Sequence, residues 1–224
     1  MKQSMNWNSY LDARLQFETD VKTAVPERVS NNTDLLRGLH FVMGMVTESY
    51  EARNFSDPLN LIEEAGDGTW FSGGLLNLLQ GNHDETLLRF VVVRNADYEA
   101  EVDWKASNYK LGEYVPEFGL EYAVEILDMY KAAIFYGRVL DPIKLLDLLI
   151  RYFHDLVFDF NVCYYVSVPK DDLALCVPSV EAIMAVNIAK LSARYSEGYA
   201  DAKANNRNKE FEREAMQKAL EPYL

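Results

Sequence analysis

Twice in this chain an Asp-Pro pair opens a run of apolar residues at helical spacing: DPLNLIEEAGDGTWF at 57–71 and DPIKLLDLLIRYF at 141–153. Such a pair constrains the backbone. The Asp side chain accepts hydrogen bonds from the orphan N–H groups of a first turn, and a first-turn proline has no N–H to leave unpaired. An apolar stretch precedes each run at a comparable distance, GLHFVMGMV (38–46) and GLEYAVEIL (119–127). The result is a weak internal repeat of two copies, too few to stack as a solenoid. It predicts two related helical hairpins packed as a bundle, an arrangement that builds sites from side chains on facing helices.

Apolar residues at mixed three and four spacing predict a helix over 5–24, ending before Pro26, and a second over 34–53. The second is apolar around most of its circumference, as a buried helix is. The first Asp-Pro run predicts a helix from Asp57 to about Leu79. The pattern returns over 120–137, from Asp141 to about Asp159, and from Ser179 to about Tyr195. The tail NNRNKEFEREAMQKAL reads as a charged helix, solvated on most of its surface. Only 81–118 differs: LLRFVVVR is β-branched and YEAEVDW alternates, which predicts an inserted loop or hairpin. The expected fold is one all-α helical bundle over residues 1–224. Unit one covers about 30–80, the insertion about 81–118, unit two about 119–160 and the C-terminal helices about 179–224.

Composition narrows the partners. With 49% apolar and 25% charged residues the chain has globular composition, and 224 residues suffice for a sizeable core. A formal charge of −13 argues against nucleic acid or an anionic membrane as a general partner. It leaves room for one phosphorylated ligand, because a bound metal inverts the local sign. Cys163 and Cys176 lack CxxC spacing and read as reduced thiols. No apolar run approaches a membrane span and MKQSMNWNSY lacks a signal sequence's apolar region, so the expected setting is cytoplasmic.

The carboxylates of TESYEARNFSDPLNLIEEAGD (47–67) fit poorly with a merely solvated face. Glu48 and Glu51 are three apart, as are Glu64 and Asp67, so each pair points one way from its helix. Leu61, Phe71 and Leu75 make the apolar stripe of the third predicted helix; Glu64 falls within it, Asp67 at its edge, and Glu63 projects to the other side. Buried carboxylates are rare unless paired or metal-bound, and Arg53 is the one cation nearby in sequence. Hard oxygen donors without His or Cys favour Mg²⁺ or Mn²⁺ over zinc. Gly66 costs about 1 kcal/mol against alanine in a helix and suits a place where a backbone or ligand approaches closely.

These residues carry a resemblance. TESYE followed by EEAGD resembles the ExxE…ExxD signature of the MazG-like all-α nucleoside triphosphate pyrophosphohydrolases, and LHFVMGMVTESYE (39–51) is similar to the opening of that family's first metal-binding helix. VNIAKLSARYSEGY (186–199) looks like its later helix with an Asn, a Lys and an Arg-Tyr pair. ANNRNKEFERE (204–214), which places Asn206 and Arg207 at a family position, resembles its polar C-terminal extension. ILDMYKAAIFYGRVLDP (126–142) is similar to the segment linking the acidic helices. Thr47 stands where many members carry another Glu. In the second unit Glu125 and Asp128 remain, as extra ligands or as a vestige, while Asp147 and Arg151 align with Glu63 and Asp67.

The resemblance implies Mg²⁺-dependent hydrolysis of a (d)NTP to the monophosphate and pyrophosphate, with Glu48, Glu51, Glu64 and Asp67 as metal ligands. Glu63 or one of the ligating glutamates would accept the proton of the attacking water. Lys190 and Arg194, four apart on one face, would grip the triphosphate, with Asn187 and Tyr195 completing the substrate side. Trp70 and Phe71 read as core. His40, His83 and His154 show no metal spacing. Family sites often borrow groups from a neighbouring subunit, which implies a homodimer. Two other functions fit the same residues: a dUTPase- or dCTPase-like pyrimidine nucleotide hydrolase, suggested by the two units, and a non-catalytic nucleotide-binding or interaction module, suggested by the incomplete second unit.

Overall fold

Both Asp-Pro pairs cap helices in the same way. Asp57 Oδ1 accepts from the N–H groups of Leu59 (3.0 Å) and Asn60 (3.1 Å), and Asp141 Oδ1 accepts from those of Ile143 (3.0 Å) and Lys144 (3.1 Å). The computed structural model describes residues 32–80, 114–167, 178–195 and 208–223, with Glu27, Val29, Ser30, Glu101, Val102, Trp104, Lys105 and Asn108. All regular structure among them is helical. The elements are α1 (Thr33–Ala52), α2 (Pro58–Gln80), α3 (Leu120–Tyr136), α4 (Pro142–Ser167), α5 (Val180–Arg194) and α6 (Lys209–Leu220), followed by a 3₁₀ turn (Glu221–Tyr223). Asn32, Ser179 and Asn208 cap α1, α5 and α6 with side-chain oxygens. No described helix is long and apolar enough to cross a membrane.

Reciprocal glycines draw α1 and α2 together. A Cβ at Gly44 would overlap the ring of Phe71, and one at Gly74 would lie 2.6 Å from Phe41 Cε1. The register therefore runs antiparallel, 41 beside 74 and 44 beside 71, which carries Glu48 and Glu51 towards Asp67 and Glu64. Helix α2 is the hub, packing on α1, α4 and α5; α1 also meets α3, α3 meets α4, and α6 lies on α5. Leu61, Leu75, Ile126, Leu145, Tyr152 and Leu156 sit at the centre of the core, each at most 1% exposed. Ser49 Oγ ties α1 to the start of α3 by donating to the Phe118 carbonyl at 2.9 Å.

Two expectations are corrected. Helix α4 continues to Ser167 instead of ending near Asp159, because Phe160, Val162, Cys163 and Tyr164 extend its buried face. Asp159 does not break it: its buried carboxylate accepts the N–H groups of Glu117 (2.8 Å) and Phe118 (2.7 Å) and the Tyr114 hydroxyl. In the insertion, Glu101, Val102, Trp104, Lys105 and Asn108 are helical, not loop or hairpin. Val102 is buried against Phe158 and Val162, an anchor that alternation in a short window does not reveal. The expected helix over 5–24, the β-branched run 87–94, His83, Cys176, Asn206 and Arg207 lie outside the described residues.

Candidate functional site

Where α1 and α2 converge near their connecting turn, Glu48, Glu51 and Glu64 each offer a carboxylate oxygen, and these oxygens lie within 4.8 Å of one another. Glu64 is buried, Glu48 half-buried and Glu51 exposed. They form the floor of a cavity of about 930 Å³, whose walls include Glu63, Asp67, Trp70, Arg194, Tyr195 and Glu212. Burial first, then the charges of Asp67, Glu64 and Glu51, push the Glu48 carboxyl up to about 9. Burial, then Glu63, Glu51 and Asp67, push Glu64 up to about 7, opposed by Asn60, whose Nδ2 donates to Glu64 Oε1 at 2.6 Å. The pair therefore holds a proton at neutral pH, which a cation seated among these oxygens would displace. Three carboxylates without His or Cys are a donor set of hard oxygens that could hold a cation.

Asp67 stands beside this cluster in different company. Its Oδ1 accepts Asn187 Nδ2 at 2.5 Å, and its Oδ2 accepts the ammonium of Lys190. Glu63 does not project away, as its place in the helical pattern suggested. It lines the same cavity, with Oε1 3.4 Å from Lys190 Nζ. The stripe of Leu61, Phe71 and Leu75 marks one buried face of α2, whereas α5 packs on the adjoining face. Gly66 makes that approach feasible: a Cβ there would sit 3.0 Å from Asn187 Cβ. The close approach expected at this glycine is therefore to α5.

The expected substrate-side residues divide. Lys190 is fully buried and Asn187 nearly so, both beneath Asp67 and not on the cavity wall. Arg194 and Tyr195 do line the cavity. The Arg194 guanidinium forks onto Glu212 of α6, Nε to Oε1 at 3.0 Å and Nη2 to Oε2 at 2.7 Å, and lies over the Tyr195 ring. Arg213 spans back to Asp57 at 3.2 Å, so α6 is tied across the cavity at two points. Arg53, the nearest cation in sequence to the acids, pairs with Glu117 at 3.5 Å instead.

The second unit gathers no such cluster among the described residues. Glu125 pairs with Lys144 at 2.6 Å, Asp128 with Lys131 at 3.5 Å, and Asp147 with Arg151 at 2.9 Å, all on the surface. Trp70 is not a core residue: it is 44% exposed and borders the cavity. Its ring meets Phe71 and Phe41 edge-on, and exposed His40 meets Phe71 the same way. His154 stacks on Phe158 beside Asp155.

Two participants were missed from the sequence. Asn60 was findable, four residues before Glu64 on the same face. Glu212 was not, because the fold alone brings it to Arg194. Compared with protein-family models, curated proteins and solved structures, the chain matches none.

Proposed function

We propose that this chain is a divalent-metal-dependent nucleoside triphosphate pyrophosphohydrolase, cleaving a (d)NTP to the monophosphate and pyrophosphate. The observation that carries the reading is the convergence of Glu48, Glu51 and Glu64 on the floor of a cavity large enough for a nucleotide. A Mg²⁺ or Mn²⁺ held by these three residues would screen phosphate charge and lower the pKa of an attacking water. Glu63 lines the cavity outside the three-oxygen cluster and is oriented by Lys190, a place from which it can accept that water's proton. Arg194, Lys209 and Arg213 are cations on the wall. Glu212 takes the Nε and Nη2 edge of the Arg194 guanidinium, and a guanidinium carries further N–H donors with which to meet a phosphate. Trp70, Phe71 and His40 give the cavity an aromatic border suited to a planar base.

The test is pyrophosphate release from purified protein offered canonical and modified (d)NTPs with Mg²⁺, run beside Glu64→Gln. Turnover that requires metal and collapses in Glu64→Gln is expected. No release across the panel, or full activity in the variant, overturns the reading.

A further inference from the structure

We propose that Lys190 is a built-in cation of the acidic site, so that the site takes one divalent ion per chain and Asp67 is not a ligand to it. The inference rests on the metal-dependent reading above and adds the number of ions and the role of Lys190. Five carboxylates of α1 and α2 border the cavity: Glu48, Glu51, Glu63, Glu64 and Asp67. They fall into two groups. The oxygens of Glu48, Glu51 and Glu64 converge on one another. Asp67 and Glu63 converge on the Lys190 ammonium instead, and the other Asp67 oxygen is taken by Asn187.

A buried ammonium is stable only when well paired. The Lys190 side chain is 0% exposed, and Asp67 is its closest acceptor, with Glu63 at 3.4 Å. Turning Asp67 onto a second metal ion would leave that ammonium with the longer contact alone, while adding a dication close to it. Both changes oppose the move. The lysine cannot withdraw to solvent either, because α5 is pressed onto α2 at Gly66. Sites that hold two metal ions about 3.5–4 Å apart need carboxylates to serve both. Here the ammonium fills the second cationic position. Lys190 is thus a positioning residue: it orients Asp67 and Glu63 from below and does not reach the cavity to grip phosphate.

The experiment counts Mn²⁺ per chain by electron paramagnetic resonance of the unbound ion, for the wild type, Lys190→Met and Asp67→Asn, with circular dichroism as the fold check. The wild type is expected to bind one Mn²⁺. Lys190→Met, which removes the ammonium from Asp67 and Glu63, gains a second. Asp67→Asn keeps one, with Kd within about threefold of wild type. Two Mn²⁺ in the wild type overturn the inference while leaving the metal-dependent reading standing. So does a folded Lys190→Met that still binds one ion but raises nucleotide KM about tenfold, the signature of a phosphate grip. Should Lys190→Met fail to fold, Asp67→Asn decides: a loss of Mn²⁺ affinity beyond about tenfold makes Asp67 a ligand and sinks the inference. No Mn²⁺ binding by the wild type, with no pyrophosphate release, removes the underlying reading instead.

Discussion

In the α1–α2 hairpin Glu48, Glu51 and Glu64 turn towards one another inside a cavity, whereas in the α3–α4 hairpin Glu125, Asp128 and Asp147 each stand on the surface beside a cation. The hairpins share their Asp-Pro caps and a comparable apolar rhythm. What separates them is which residues follow the caps. Leu148 stands where the first unit has Glu64 and is buried as ordinary core, and Arg151 stands where it has Asp67 and reaches Asp147 one turn back. Lys144 and Lys131 give Glu125 and Asp128 partners within the same hairpin. In the first hairpin Arg37 pairs with Asp34 and Arg53 with Glu117, away from the clustered acids. Its acids are balanced from outside the hairpin, by Lys190 of α5 and, on the proposed function, by a metal ion. A helical pair becomes a site where its carboxylates outnumber the local cations and face inward.

The comparison breaks most visibly in turnover. Glu64→Gln is expected to lower kcat about 100-fold or more, in the range lost when a group acting at the reaction centre is removed. Glu125→Gln is expected to stay within about twofold, as a surface substitution away from the site should. Equal losses in pyrophosphate release would mean that both hairpins carry chemistry and would end the contrast drawn here.

Next in size is the clasp between α5 and α6. Arg194 and Glu212 have side chains only 14% and 3% exposed, while Asp147 and Arg151 make the same kind of pair at 59% and 57%. Arg194→Met strands a buried carboxylate, at a cost of about 3 kcal/mol. For a chain of this size that lowers Tm by about 6–12 °C. Arg151→Met, leaving Asp147 to water, is expected to leave the melt unchanged. Thermal denaturation followed by circular dichroism reads both; a small drop for Arg194→Met would mean that α6 is not held by this pair.

A third difference is in pH. Burial and neighbouring charge raise Glu48 from an ordinary 4.5 to about 9, so the folded chain holds that proton more tightly than the unfolded one. The stabilisation is full below the ordinary value and is lost as pH rises towards 9. Metal-free protein is therefore expected to lose several degrees of Tm between pH 5 and pH 9. Glu48→Gln should flatten that fall, and saturating Mg²⁺ should reverse it by favouring the ionised carboxylates. A fall as steep in Glu48→Gln as in wild type would remove Glu48 as its source.

Much of this was legible in the chain. The Asp-Pro pairs at 57 and 141 and the helical period placed five helices within a residue or two at their starts, because capping and periodicity are local. Spacing also marked Glu48, Glu51 and Glu64, since residues three apart share a face. What failed was whatever depended on a third element. Glu63 was assigned outward because its own helix cannot announce that α5 covers that side. That Lys190 lies buried under Asp67 and off the cavity wall is set by the crossing at Gly66, which its spacing from Arg194 does not show. The extension of α4 past Asp159 was missed because the groups that satisfy that carboxylate lie more than forty residues earlier.

The smallest expected effect sharpens the comparison from the other side. Lys144 meets Glu125 at 2.6 Å, a shorter contact than Arg194 makes with Glu212, so distance alone would rank it as the stronger pair. Both side chains are about half exposed, at 52% and 47%, and water and salt screen what the short distance offers. Lys144→Met is therefore expected to leave Tm within about 1 °C of wild type in 0.15 M salt, with no change in Mn²⁺ binding. A drop comparable to that of Arg194→Met would show that the acids of the second hairpin also depend on a buried counter-charge. The division between an inward hairpin with clustered acids and an outward, self-neutralised one would then fail at its structural root.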